Sequence, residues 1–290
     1  PKQAYTKRLL AAAPKLNLSK KPVSKGKTLL TVENLKKTYN PPSKLARIIL
    51  KQPLPAPALN DVSLTLKVGQ TLGVVGESGS GKSTLAKCIL QLEQPDGGTV
   101  NFNGKNLVNA NNKTLKQSWR DVQMVFQDPF ASLNPRQSVG KSIMEGLKAH
   151  NIGTPKEQAQ QVTNLLKDVG LKGEDAQKYP HQFSGGQRQR IVLARALAMK
   201  PKLIIMDEAV ASLDVSIQAQ VLQIFKTLQE KYNLSYLFIS HDLRVVSKVA
   251  DEVIVMHNGQ IVEQGATHHV FRKPTHNYTQ QLLASLPQGV

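Results

Sequence analysis

Nine consecutive residues, Gly76-Glu77-Ser78-Gly79-Ser80-Gly81-Lys82-Ser83-Thr84, fit the phosphate-binding pattern G-x-x-x-x-G-K-[ST] at every fixed position. The glycines let backbone N–H groups turn inward around an anion, and a helix opening at the end of the loop adds partial positive charge. Lys82 would reach the β- and γ-phosphates of a nucleoside triphosphate, and the Ser83 hydroxyl would hold Mg²⁺. Further along, the acids Asp207 and Glu208 follow the apolar run Leu203–Met206. An acid at the carboxyl end of a buried strand points into the ligand crevice of an open α/β sheet. Asp207 is therefore expected in the Mg²⁺ shell, and Glu208 as the general base that polarises an attacking water.

The surrounding sequence supplies the elements such residues need. Thr71–Val75 reads as a buried strand before the loop, and Thr84–Leu92 as the helix after it. Leu29–Tyr39 and Ala58–Val68 alternate as strands, separated by a proline-rich loop or extension over 40–57. Pro95–Gly98 reads as a turn, Thr99–Asn103 and Val122–Phe126 as strands. Residues 128 to about 182 read mainly as helix, with apolar positions at helical spacing over Ser138–Ala149 and Lys156–Val169. Val192–Met199 and Ser216–Lys231 read as helices, Leu203–Met206 and Ser235–Ile239 as buried strands. Asn258-Gly259, flanked by apolar runs, signals a hairpin. Strands alternating with helices predict a parallel sheet covered on both faces.

Composition narrows the class. The chain has 290 residues, 40% of them hydrophobic, enough for one large α/β domain or two small ones. Its one cysteine, Cys88, excludes a disulfide framework or a cysteine metal cluster within the chain and is expected to be a buried, inert thiol. No apolar run reaches the ~18 residues of a membrane span. The net charge is +18, but residues 1–60 hold 13 Lys/Arg against the single acid Glu33. The basic excess therefore sits in the leading segment, either as a solvated linker or as a site of attraction to anionic lipid headgroups or RNA. Residues 1–14 also match 274–287 at seven of fourteen positions without a gap. A duplicated unit is the economical reading, with this chain as the second half of a longer tandem protein.

Taken together, these motifs resemble those of the ATP-binding cassette (ABC) ATPases, in that family's order and spacing from about residue 29 to 287. Ser184-Gly185-Gly186-Gln187 looks like the family's signature, with Phe183 where a leucine is usual. Gln127 matches the Q-loop glutamine, Asp214 the D-loop, and His241 the switch histidine. Tyr39 stands where such proteins stack an aromatic ring on adenine. The run from Phe126 to Arg136, the loop from Asp207 to Asp214 and the tail from Val270 to Leu283 resemble the oligopeptide and dipeptide importers, some of which fuse two ATPase units in one polypeptide.

The resemblance implies a P-loop NTPase fold of the α/β class, with a RecA-like core, an antiparallel β-subdomain and a helical subdomain. It divides the chain into a tail and basic linker over 1–28, a nucleotide-binding domain over 29–270 with its helical part near 128–185, and a C-terminal helical tail over 271–290. It implies ATP and Mg²⁺ as cofactors. Gly76 to Thr84 would bind the nucleotide, Ser83, Gln127 and Asp207 the metal, and Lys82, Gln127, Glu208 and His241 would serve catalysis, His241 by bonding the γ-phosphate. Ser184, Gly185, Gly186, Gln187 and Asp214 would face ATP held by a second ABC unit in a head-to-tail pair. The expected setting is the cytoplasmic face of the inner membrane, bound to two permease subunits that work with an extracytoplasmic solute-binding protein. The expected work is import of peptides or peptide-like solutes. The rival reading is a soluble ABC ATPase acting on ribosomes or nucleic acid; the length of 128–183, without a large basic insertion, argues for transport, with no nucleic-acid partner expected.

Overall fold

The strands of this computed structural model alternate their burial between two cores. In Ser235–Ile239 (β8), Tyr236 and Phe238 enter one apolar cluster, Leu237 and Ile239 the other. Leu203–Asp207 (β7) and Glu252–His257 (β9) divide in the same way. Successive strand side chains point to opposite faces, so runs with no polar alternation belong to a sheet covered on both sides. The structure describes residues 16, 19, 26–40, 55–126, 128–211 and 213–286.

That central sheet has six strands in the order β10-β9-β3-β8-β7-β6, with β3 at Thr71–Val75, β6 at Val122–Val125 and β10 at Gln260–Ala266. All neighbours are parallel except the edge pair β9–β10, joined through Asn258-Gly259 as the hairpin signal predicts. A second, four-stranded antiparallel sheet, β2-β1-β4-β5, comprises Thr28–Lys37 (β1), Leu59–Lys67 (β2), Gly97–Phe102 (β4) and Lys105–Asn106 (β5). Its core is shared with one face of the central sheet and with Lys82–Ile89 (α1).

The other face is covered mainly by helices. Asn112–Asp121 (α2) lies instead on the first face, where Leu115 packs against the shared core; Pro129–Ser132 (α3), Val139–Ala149 (α4), Pro155–Asp168 (α5) and Gly185–Ala198 (α6) come next. Val215–Tyr232 (α7), Leu243–Val249 (α8), Thr267–Arg272 (α9) and Asn277–Ala284 (α10) follow. Among the described residues, no helix is long and apolar enough to cross a membrane.

Several boundaries differ from the sequence reading. The helix after the phosphate loop runs from Lys82 to Ile89 rather than from Thr84 to Leu92, because Gly81 in a left-handed conformation closes the loop just before it. The helix expected from Val192 begins at Gly185: a polar first turn hides the period, but Ser184 and Gln187 form a capping box. Gly97 and Gly98, expected in a turn, already belong to β4, where Gly97 pairs with Lys36 of β1 and Gly98 sits at a register shift. Helix α2 carries only the short apolar pair Leu115 and Trp119 and is started by Asn111, whose side chain accepts from the Thr114 N–H. Residues 1–14, which carry the first copy of the repeated tail, lie outside the described residues.

Gly81 also brings two elements together. It has φ +102°, and a Cβ there would lie 2.3 Å from the Ala58 carbonyl oxygen. We expect Gly81→Ala to destabilise the chain by about 2 kcal/mol or more, since backbone strain and overpacking combine. Urea unfolding at equilibrium measures it.

Candidate functional site

The phosphate loop joins β3 to α1. Its crest, Glu77, Ser78 and Gly79, is exposed, whereas Gly76, Ser80 and Lys82 are buried. The Lys82 ammonium donates to the carbonyls of Gly76 at 2.8 Å and Glu77 at 2.7 Å, and to Ser80 Oγ at 3.3 Å. Its own loop thus holds the charge at the centre of the concavity. Burial pulls the Lys82 pKa below the usual lysine range, against the opposing charges of Glu208, Asp207 and Glu77.

The two acids lie beside it. Asp207 ends β7, and Ser83 Oγ donates to Asp207 Oδ1 at 3.1 Å across 124 positions of sequence. Burial lifts the Asp207 carboxyl above the ordinary carboxylate range, although the Ser83 bond works the other way. A divalent cation would relieve that cost, and a hydroxyl beside a carboxylate is a hard-oxygen donor set that suits Mg²⁺. Among the described residues no group of three or more His, Cys, Asp or Glu is placed to hold a metal. A cation here would therefore draw its other ligands from phosphate, water or a side-chain amide. Gln127, expected to be such an amide, lies outside the described residues.

Glu208 leaves the strand in a left-handed conformation, φ +51°, with its N–H donated to the Ile239 carbonyl at 3.0 Å. Its Oε1 meets His241 Nδ1 at 3.2 Å. Glu208 and His241, 33 positions apart, are thus neighbours because β7 and β8 are paired in parallel and both end here. The imidazole contacts Glu208, an arrangement that would orient the carboxylate.

The remaining expected residues are placed elsewhere. Ser184 N–H donates to Gln187 Oε1 at 3.0 Å, and Gln187 N–H to Ser184 Oγ at 3.3 Å, so both cap their own helix at an exposed surface. A Cβ on Gly186 would come within 2.3 Å of Ile217 Cγ2, so that glycine lets α6 press on α7. Asp214, exposed, caps α7 by accepting from the N–H groups of Ser216 and Ile217 at 3.1 and 3.0 Å, bonds that hold its carboxyl below the usual range. Tyr39 lies just past β1, with the Lys37 ammonium 5.6 Å from its ring centre. Cys88 is buried and its thiol is pushed up to about 11 by that burial, which suits an inert role.

The loop has one more neighbour, which no sequence motif indicates. The N–H of Glu77 donates to the hydroxyl of Tyr278 at 3.0 Å. Tyr278 stands in the repeated, importer-like tail, and no local pattern ties α10 to the phosphate loop.

A family model described as "ABC transporter" matches residues 59–211. The chain belongs to the ABC transporter family. A second model, "Oligopeptide/dipeptide transporter, C-terminal region", matches residues 262–289. It is similar to the glutathione import ATP-binding protein GsiA of Escherichia coli K12, 43% identical over 312 aligned positions that take in 99% of this chain and 50% of that protein. The GsiA of Shigella flexneri matches to the same extent. The chain thus spans about half the length of the curated relatives it matches. Among solved structures, the dimeric ATP-binding cassette MJ0796, bound to ADP and Pi after hydrolysis, superposes with a TM-score of 0.71 at 27% identity, covering 82% of this ABC chain and 99% of its own. Structure cbiO1 from Clostridium perfringens, part of an ABC transporter complex, gives 0.73 at 28%, covering 85% and 91%. The P-loop ABC fold, with its helical and antiparallel additions, is thus the fold of this chain.

Proposed function

We propose that this ABC ATPase hydrolyses ATP to drive import of peptides or peptide-like solutes, as a peripheral subunit on the cytoplasmic face of a membrane. The observation that carries the reading is one cluster: Lys82 at the centre of the loop, Ser83 on Asp207, and Glu208 on His241. ATP lies along Gly76–Thr84, with its γ-phosphate near Lys82. Ser83, Asp207 and Gln127 would hold Mg²⁺, which would neutralise charge on the phosphate oxygens. Glu208 takes a proton from the attacking water, and His241 orients that carboxylate and bonds the γ-phosphate. Tyr39 stacks on the adenine.

The exposed Ser184, Gln187 and Asp214, with the backbone of Gly185 and Gly186 at the start of α6, serve a second ABC unit, in the same polypeptide or a homologous chain. Each composite site joins one phosphate loop to the other unit's signature. ATP binds the closed pair better than the open one, so binding closes it and hydrolysis releases it. The dimer of MJ0796 supports this pairing by analogy.

Two permease subunits complete the machine, supplied with solute by a binding protein on the far side. Their docking place is a cleft of about 710 Å³ beside β6, lined by Leu92, Met124, Phe126, Val192 and Arg195. Phe126 and Leu92 are exposed there, apolar surface that suits a short helix from a membrane subunit. The peptide-like cargo is supported by the C-terminal family match and by relatives named for glutathione import. In cell extracts the chain should fractionate with membranes and co-purify with integral membrane proteins. Recovery on ribosomes or nucleic acid, lost steeply as salt rises, overturns the transport reading.

A further inference from the structure

We propose that Tyr278 is a positioning residue for the phosphate loop, through which the C-terminal helix α10 sets ATP affinity. Tyr278 is 7% exposed, and its hydroxyl accepts from Glu77 N–H at 3.0 Å, 201 positions earlier in the chain. The N–H of Glu77 and the carbonyl of Gly76 belong to one peptide group. In a trans peptide these two point in opposite directions. Anchoring the N–H on Tyr278 therefore turns the Gly76 carbonyl inward, where it receives the Lys82 ammonium at 2.8 Å. Tyr278 thus acts on the phosphate-contacting lysine through a single peptide plane.

The tyrosine is itself held from two sides. Its ring lies against the His257 imidazole, with centroids 3.9 Å apart. His257 ends β9, and the hairpin that follows bonds the same loop, Gly259 N–H donating to the Ser80 carbonyl at 3.2 Å. The start of α10 is fastened by Glu263 of β10, whose carboxylate accepts from the N–H groups of Thr275 at 2.9 Å and His276 at 3.2 Å. Ring stacking, hairpin and carboxylate clamp leave Tyr278 little freedom, so its hydroxyl is a fixed point from which the loop is aimed. By linkage, whatever fixes the loop from outside must itself be fixed by nucleotide.

Tyr278→Phe keeps the ring and its stacking and deletes only the acceptor. In the 290-residue chain it should weaken Mg·ATP binding roughly 2- to 10-fold, the fold-change of one net hydrogen bond, and leave kcat at saturating ATP within about 2-fold of wild type. Glu263→Gln, which loosens the clamp, should shift affinity in the same direction. Hydrogen exchange over 277–284 should slow on ATP addition in wild type and not in Tyr278→Phe. Affinity unchanged in Tyr278→Phe, or exchange over α10 indifferent to ATP, overturns the proposal. It rests on ATP binding at this loop: a wild-type chain that binds no ATP overturns both readings, while an unchanged Tyr278→Phe overturns this one alone.

Discussion

Glu208→Gln should leave ATP bound and slow hydrolysis at least about 100-fold, the contribution of a positioned general base. The substitution is nearly isosteric. It preserves the left-handed turn, the N–H bond to Ile239 and an acceptor for His241, so the surrounding geometry has no cause to change. What it removes is basicity. An amide oxygen cannot take the proton from water at neutral pH, so the phosphoryl bond breaks without assistance. Phosphate release under single-turnover conditions, beside an ATP titration on the same protein, separates the two effects. Hydrolysis within a few-fold of wild type would move the base elsewhere and overturn the assignment. Loss of ATP binding would give Glu208 a structural duty instead.

The second large effect comes from pairing. Lys82→Ala and Ser184→Arg should each abolish turnover, yet a one-to-one mixture should recover about a quarter of wild-type activity if the units associate head to tail. Half the pairs in such a mixture are mixed. Each mixed pair holds one composite site with both lesions and one with neither. Ser184 is suited to this test because it is exposed and bonded only to its own helix, so it has no part in Lys82's half of the site. The assay belongs at chain concentrations where wild-type specific activity has stopped rising. A mixture as inactive as its parents, with wild-type activity independent of dilution, would put both halves of the site in one chain and sink the pairing.

The phosphate-binding cluster was legible in the sequence because each member sits in a short contiguous motif on a strongly patterned strand. Ser83 and Asp207 could be matched as metal partners without knowing the topology, and the 3.1 Å contact fits that expectation. The mixed character of the central sheet followed from uniform apolar runs and one Asn-Gly turn. Boundaries were less legible where caps outweigh periodicity. Gly81 and the Ser184–Gln187 capping box start helices inside stretches that carry little apolar signal. Contacts made by long-range packing left no local trace. The Tyr278 hydroxyl on Glu77 joins a tail to a loop through β9, β10 and α9, and nothing in either segment announces the other. The contact of His241 with Glu208 likewise depends on strand order, since both residues leave parallel neighbours at one end of the sheet.

Glu208 occupies a backbone conformation that glycine or asparagine would adopt at lower cost. A non-glycine residue there surrenders roughly 1–3 kcal/mol. With Glu208 as the proposed base, breeding this chain for heat resistance alone would drift toward glycine at 208 and lose turnover with each gain in robustness. Thermal robustness and turnover compete for one residue, so an engineered cassette should be screened for both at once.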